Sequence, residues 1–277
     1  MRGLALTAVA LAAAAAWPGG ARRTSRPLLA AHRGGAALWP ENSLLAFGNA
    51  VALGADYLEL DVHLSSDGEV VVIHDPTLDR TTTGTGLVRD LALADLRALR
   101  LRDRAGAVTA ERLPTLDEVA ALAAAGRRGL LVEIKAGPDR VRYPGIEEAV
   151  LAALDRHGMA ASAVVMAFEA ETWRRVRALR PDVRAGALYS ARSLGGGKAV
   201  ARALDEARAA GVGFVGLAHA LVTAEAAARA RDAGLLLGAW TVNDREVMRR
   251  LIEREVGILI TDRPDVAREL LDQGRTT

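Results

Sequence analysis

Short apolar runs alternate with segments of helical periodicity from residue 28 to residue 271. A bounded apolar run is typical of a strand buried in a parallel sheet, and apolar residues spaced three or four apart indicate an amphipathic helix. The pattern predicts the main strands at 28–31, 57–62, 129–134, 163–167, 184–188, 214–217, 235–241 and 257–261. It predicts the helices that follow them at 43–53, 115–124, 145–157, 169–179, 198–210, 223–233, 244–254 and 264–271.

Eight strand-then-helix pairs in about 250 residues predict an α/β fold of the (β/α)8 TIM-barrel type. A doubly wound open sheet also alternates strands with helices and is the alternative. The turn after the first strand lacks the Gly-x-Gly-x-x-Gly pattern, which disfavours the dinucleotide-binding form of that alternative. The segment at about 76–112 breaks the alternation with a Thr- and Gly-rich stretch and a short helix near 94–99. We expect a small insertion after the second strand, where insertions usually shape the active site.

The first 25 residues are predicted to be separate from this domain, which then spans 26–277. Arg2 precedes an apolar run at 4–17 and a Pro-Gly-Gly-Ala stretch, a pattern typical of a secretory signal peptide. The run is shorter than the roughly 20 residues of a membrane-spanning helix, so we expect no stable membrane span in the mature chain. Export to the periplasm or the exterior is therefore predicted. A cytoplasmic protein with an Ala-rich start is the alternative.

Composition excludes several classes of function. Lys plus Arg number 36 and Asp plus Glu 34, for a net charge of +2, and no basic stripe carries aromatic residues, so no nucleic-acid partner is expected. The chain has no cysteine, which excludes disulfides, thiolate metal sites and a cysteine nucleophile. No pattern in the sequence sets an oligomeric state.

Acidic residues follow the predicted strands in a pattern that indicates a metal site. Glu59 and Asp61 are two apart, so they lie on one face of the second strand, and Glu133 ends the next barrel strand. Buried carboxylates that face one another are costly without a cation between them. Their hard oxygen atoms suit one divalent cation, Mg²⁺ or Ca²⁺. Three separate salt bridges at the rim are the alternative.

Other polar residues fall at the same carboxyl ends of strands. His32 and His74 suit proton transfer, one as base and the other as acid, because the imidazole pKa is about 6.5. Arg33 and Lys135 can bind phosphate oxygens, and Trp240 either walls the pocket or packs in the core.

Supporting roles are predicted for a second group of residues. Glu41 is expected to orient Arg33 or His32, while Asn42 supports the site or only caps the first helix. We expect His63 to be peripheral and Asp262 to cap the last helix. His157 and His219 are interpreted as structural.

A series of motifs resembles the glycerophosphodiester phosphodiesterase family from about residue 28 to residue 271. The motifs are His32-Arg33-Gly34, Pro40-Glu41-Asn42-Ser43, Glu59-Leu60-Asp61-Val62, Asp67-Gly68, His74-Asp75, Leu78-Asp79-Arg80-Thr81-Thr82, Glu133-Ile134-Lys135, Trp240-Thr241-Val242-Asn243 and Thr261-Asp262-Arg263-Pro264. The resemblance implies a barrel with an insertion after the second strand, a divalent metal on the three acids and an acid–base pair of histidines. It also implies hydrolysis of a small glycerophosphodiester to glycerol 3-phosphate and an alcohol. Ser43 and Ala167-Phe168 depart from the family pattern, where Thr and Ser-Phe are more common.

Other functions remain as alternatives at this point. A lysophospholipase D would cleave lysophospholipids on the same site. A glycosidase also uses paired acids at barrel strand ends, but it needs neither two histidines nor a phosphate-binding arginine. A non-catalytic protein that binds a phosphodiester or metal is the third alternative, and the presence of both histidines disfavours it.

Overall fold

Eight parallel strands close into a barrel in the computed structural model, which describes residues 26–194 and 197–273. The strands are β1 (Leu28–Ala31), β2 (Tyr57–Leu64), β3 (Val70–Val72), β4 (Gly129–Ile134), β5 (Ala163–Ala167), β6 (Arg184–Tyr189), β7 (Phe214–Ala218), β8 (Leu236–Trp240) and β9 (Ile258–Thr261). All except β3 belong to the barrel, and β1 pairs in parallel with both β9 and β2, which closes it. The predicted TIM barrel is confirmed, and the open-sheet alternative is wrong because a closed sheet has no edge strands. The predicted signal peptide at 1–25 lies outside the described residues.

The helices lie within about two residues of the positions that the sequence pattern predicts, one of them in the insertion and the others after barrel strands. They are α1 (Leu44–Ala52), α2 (Leu93–Ala98), α3 (Leu116–Gly126), α4 (Ile146–Arg156), α5 (Ala170–Leu179), α6 (Gly197–Ala209), α7 (Ala224–Asp232), α8 (Arg245–Glu253) and α9 (Pro264–Gln273). Strand β2 extends beyond its predicted end because residues 62–64 pair with the antiparallel β3. Within residues 26–194 and 197–273, we find no helix of the length and apolar character that a bilayer crossing requires.

Side-chain hydrogen bonds within one turn set where several of these helices begin. The Ser43 hydroxyl accepts a hydrogen bond from the backbone of Ala46 at the start of α1, so Ser43 rather than Asn42 is the cap. At α3, Thr115 and Glu118 form a reciprocal capping box. Each arrangement satisfies backbone N–H groups that would otherwise lack a partner in the first turn.

The core has two layers, one inside the barrel and one between the barrel and its helices. The inner layer is small and contains Phe214, which is fully buried. A Cβ atom on Gly186 or Gly238 would lie 2.8 or 2.6 Å from the Phe214 ring. Glycine on the two flanking strands therefore makes room for one large ring, and mainly aliphatic side chains fill the rest of the barrel interior.

The insertion between β3 and α3 folds around a small core of its own. That core comprises Val71, Ile73, Leu78, Val88, Leu96, Leu101 and Leu113, each at most 2% exposed. Glu111 accepts a hydrogen bond from the backbone of Leu45 at the first turn of α1, which ties the insertion to the barrel rim. The insertion is therefore an ordered unit beside the carboxyl end of β2.

Candidate active site

Three carboxylates meet on the inner face of β2 and β4. The register of this pair places Asp61 directly opposite Glu133, and Glu59 lies two residues before Asp61 on the same face. Their exposed fractions are 2% for Glu59, 1% for Asp61 and 8% for Glu133. One oxygen from each of the three lies within 4.8 Å of the others. The acids thus form one cluster, as the period of two along the strand predicts.

Two cations flank the acid cluster. Lys135 Nζ lies 2.6 Å from Glu133 Oε1 and 3.4 Å from Asp61 Oδ1, and Arg33 Nε lies 3.4 Å from Asp61 Oδ2. Burial alone would raise the pKa of Asp61, but Lys135 and Arg33 outweigh it and hold this pKa well below its usual range. Burial raises the pKa of Glu59, and the neighbouring charges of Asp61 and Glu133 raise it further. Three carboxylates thus lie together beside two cations, and a third negative charge is costly to hold in this buried cluster.

The donor set fits a divalent cation. Three carboxylates supply hard oxygen ligands of the kind that Mg²⁺ and Ca²⁺ prefer. Asp61 Oδ1 is buried and faces Lys135 Nζ at 3.4 Å, but it makes no hydrogen bond within the described residues and can therefore act as a ligand atom. Glu59, Asp61 and Glu133 are thus the residues that could hold such an ion.

A tight turn after β1 carries His32 and Arg33 into the site. Arg33 and Gly34 have positive φ angles of 52° and 83°. A Cβ atom on Gly34 would also lie 2.7 Å from the Cβ of Ala46, so glycine is needed for both conformation and space. The backbone N–H of Arg33 donates to Glu59 Oε2 at 2.9 Å. This turn therefore links β1 directly to the acid cluster.

His32 is oriented by Asp262 at the end of β9. Nδ1 of His32 lies 2.5 Å from Oδ1 of Asp262, and Asn243 donates to Oδ2 of the same carboxylate at 2.6 Å. The expectation that Asp262 caps α9 is wrong, since both of its oxygens are engaged by residues that follow the neighbouring strands β1 and β8. Burial lowers the pKa of His32, but Glu59 and Asp262 outweigh this effect and raise it. Nε2 of His32 faces the cluster, 4.0 Å from Glu59 Oε2.

His74 belongs to a second chain of charged contacts. Its Nδ1 lies 2.7 Å from Asp75 Oδ1, and Arg80 Nε donates to Asp75 Oδ2 at 2.6 Å. Arg80 also donates through both terminal nitrogens to Glu41 at 2.8 Å, and Glu41 accepts from Arg33 at 3.0 Å. Burial raises the pKa of Glu41, but Arg80 and Arg33 outweigh it and lower this pKa. Glu41 thus contacts Arg33, one of the two residues that it was predicted to orient, whereas no role was predicted for Asp75 or Arg80.

Asn42 and His63 are buried and contact residues of the acid cluster or their neighbours. Asn42 Nδ2 donates to Asp61 Oδ2 at 3.0 Å, so Asn42 serves the site rather than capping α1. His63 lies outside the acid cluster, as expected, but it is fully buried rather than peripheral. Its Nδ1 lies 2.9 Å from the Tyr143 hydroxyl and its Nε2 lies 3.1 Å from the backbone oxygen of His74. Burial lowers the pKa of His63 to about 4.

These groups line one cleft of about 170 Å³ with two unlike walls. The charged wall consists of His32, Arg33, Glu59, His74, Glu133 and Lys135. The opposite, mainly apolar wall consists of Met166, Phe168, Leu188, Trp240, Thr241 and Ile260. Trp240 packs edge-to-face on Phe168 with ring centres 5.5 Å apart, so it walls the cleft. His157 instead pairs with Asp117 away from the cleft, in keeping with a structural role.

Comparison with known proteins identifies the family. The model of the Glycerophosphoryl diester phosphodiesterase family matches residues 32–266. The chain is 35% identical over 250 residues to a glycerophosphodiester phosphodiesterase of Caldanaerobacter subterraneus subsp. tengcongensis, covering 90% of this chain and 99% of that protein. It is 32% identical over 257 residues to one of Bacillus subtilis, covering 87% and 85%. A solved glycerophosphodiester phosphodiesterase of Agrobacterium tumefaciens matches with a TM-score of 0.72 and 27% identity, covering 88% and 99%. The chain therefore belongs to the glycerophosphoryl diester phosphodiesterase family, and it is an enzyme of that class.

Proposed function

We propose that the enzyme hydrolyses glycerophosphodiesters to glycerol 3-phosphate and an alcohol, and that it needs a divalent cation to do so. The observation that carries the proposal is a cluster of three acids facing two imidazoles in one cleft. The two relatives from Caldanaerobacter and Bacillus, both named glycerophosphodiester phosphodiesterases, support the substrate class.

Electrostatics supports the need for a cation. A carboxylate about 4 Å from a phosphodiester anion costs roughly 4 kcal/mol at an effective dielectric constant near 20. Arg33 and Lys135 each already neutralise part of the cluster. A cation held by Glu59, Asp61 and Glu133 would turn the repulsion into attraction and stabilise charge on the phosphoryl oxygens.

The remaining chemistry belongs to the side chains. Arg33 and Lys135 would bind phosphoryl oxygens and fix the ester in the cleft. Because Asp262 engages Nδ1 of His32 and Asp75 engages Nδ1 of His74, each imidazole has Nε2 left to exchange a proton in the cleft. One would take a proton from the nucleophile, either water or the neighbouring glycerol hydroxyl, and the other would protonate the leaving alcohol.

A chelation experiment tests this function. Excess chelator is expected to abolish release of glycerol 3-phosphate from glycerophosphocholine, and Mg²⁺ or Ca²⁺ is expected to restore it. Glu133→Gln removes one proposed ligand and should weaken metal dependence and activity together, while the 76%-exposed Glu171→Gln serves as the matched control. Full turnover in excess chelator would remove the metal from the proposal. Failure to release glycerol 3-phosphate with either metal would contradict the proposed reaction.

The apolar wall favours one further candidate activity, lysophospholipase D cleavage. Met166, Phe168, Leu188 and Trp240 offer a surface that an acyl chain or its glycerol end could contact. Product analysis on lysophosphatidylcholine separates the two activities, because this cleavage releases choline and a lysophosphatidic acid. Choline release comparable with that from glycerophosphocholine would favour the second activity.

A further inference from the structure

Arg80, a residue of the insertion, contacts two carboxylates that each hold a side chain of the active-site cleft. Its Nε donates to Asp75, which engages His74, and its two terminal nitrogens donate to Glu41, which engages Arg33. One guanidinium group therefore binds two carboxylates, and each carboxylate also contacts a different side chain of the cleft.

This arrangement differs from an ordinary surface salt bridge. An exposed pair contributes little because its two long side chains remain free to move. Arg80 is 47% exposed, but its partners Glu41 and Asp75 are only 17% and 24% exposed. A planar guanidinium with donors in a fixed fork sets the rotation of both carboxylates at once, which a lysine ammonium does not do.

The backbone that carries Arg80 is itself held in place. Leu78 is fully buried in the core of the insertion, and the Thr82 hydroxyl donates to the backbone oxygen of Leu78 at 2.8 Å. Arg102 Nε donates to the backbone oxygen of Thr82 at 2.9 Å, and the N–H of Gly84 donates to the Thr82 hydroxyl. The insertion thus presents Arg80 from a rigid loop.

We propose that Arg80 is a positioning residue, by which the insertion orients His74 through Asp75 and Arg33 through Glu41. The inference rests on the proposed function of His74 and Arg33 in phosphodiester hydrolysis. Arg80 itself is absent from the walls of the cleft, so its effect on turnover passes through these two carboxylates.

Three single variants test the proposal on glycerophosphocholine with metal present. Arg80→Ala removes the fork, and Arg80→Lys keeps the charge without it. Arg89→Ala is the matched control, because Arg89 lies in the same insertion, is 43% exposed and pairs only with its neighbour Asp90 among the described residues. We expect Arg80→Ala to lower kcat by about 10- to 100-fold, the usual cost of losing a partner that orients a site residue. The KM of Arg80→Ala is expected to change less than its kcat. The kcat of Arg80→Lys is expected to lie between those of Arg80→Ala and the parent enzyme, and the kcat of Arg89→Ala is expected to equal that of the parent enzyme.

A second comparison shows whether Arg80 acts through its two partners. In a protein carrying Glu41→Ala and Asp75→Ala, the two acceptors are gone, so adding Arg80→Ala is expected to change kcat by less than about twofold. Guanidinium ion in the assay is expected to restore part of the activity of Arg80→Ala alone. The proposal would be overturned if Arg80→Ala lowered kcat as much in the protein that lacks both carboxylates as in the parent enzyme. A kcat equal to that of the parent enzyme in Arg80→Ala alone would also overturn it. Absence of glycerol 3-phosphate release by the parent enzyme would instead contradict the proposed function.

Discussion

His63 makes the free energy of unfolding depend on pH in a window that the structure defines. Burial lowers the pKa of its imidazole to about 4, against 6.5 for the ordinary group. The folded protein holds His63 neutral, whereas the unfolded chain takes up a proton as the pH falls through 6.5. Since the unfolded state binds more protons in this window, acid lowers the free energy of unfolding. The contribution is complete above pH 6.5 and is lost as the pH falls toward 4.

The size of the effect follows from the gap between the two pKa values. At about 1.4 kcal/mol for each pKa unit, the full loss is about 3 kcal/mol and is complete only below pH 4. At pH 5 the loss is already about 2 kcal/mol, while at pH 7.5 it is close to zero. His63→Gln removes the titrating group and keeps a donor and an acceptor for His74 and Tyr143, which His63 contacts.

Urea denaturation of the parent protein and His63→Gln, both free of metal, measures this effect at pH 7.5 and pH 5. At pH 7.5, the two proteins differ in free energy of unfolding only through packing and hydrogen bonding. Between pH 7.5 and pH 5, we expect the free energy of unfolding of the parent protein to fall by about 2 kcal/mol more than that of His63→Gln. The histidine NMR signal missing from the variant should titrate with a midpoint near 4. An equal difference at both pH values, or a midpoint between 6 and 7, would refute the reasoning.

Two more predictions concern the site and the barrel interior. Asp262→Asn leaves His32 Nδ1 without its carboxylate, so kcat for glycerophosphocholine should fall by about 100-fold or more while the thermal midpoint changes little. Parent-like kcat would remove Asp262 from the mechanism. Phe214→Ala empties the space that two flanking glycines leave, and urea denaturation should show a loss of about 3–5 kcal/mol. A loss under about 1 kcal/mol would mean that the barrel interior collapses to fill the cavity.

The order of strands and helices was predictable because it depends on local periodicity. Side chains alternate along a strand, so Glu59 and Asp61 had to share a face, whichever strand lay beside β2. Parallel strands end at one rim, which also predicted that Glu133 and His32 would approach them. The family motifs implied the same set independently.

Contacts between segments far apart in sequence were not predictable from spacing. Asp262 and His32 are 230 positions apart, and the local pattern Thr-Asp-Arg-Pro suggested a helix cap. Arg80 and Glu41 are 39 positions apart and meet only because the insertion lies beside the loop that leads into the first helix. The one available signal was that Asp262 ends the last barrel strand, at the same rim as His32.

The sequence by itself determined the alternation of strands and helices, the helix starts and the shared face of Glu59 and Asp61, because each follows from side-chain periodicity or from a hydrogen bond within one turn. Only the tertiary structure decided that the barrel closes with β9 beside β1, which carries Asp262 to His32. It also decided that His63 is buried and that Arg80 links Glu41 to Asp75. These features depend on where distant backbone segments meet, and no local spacing rule specifies that.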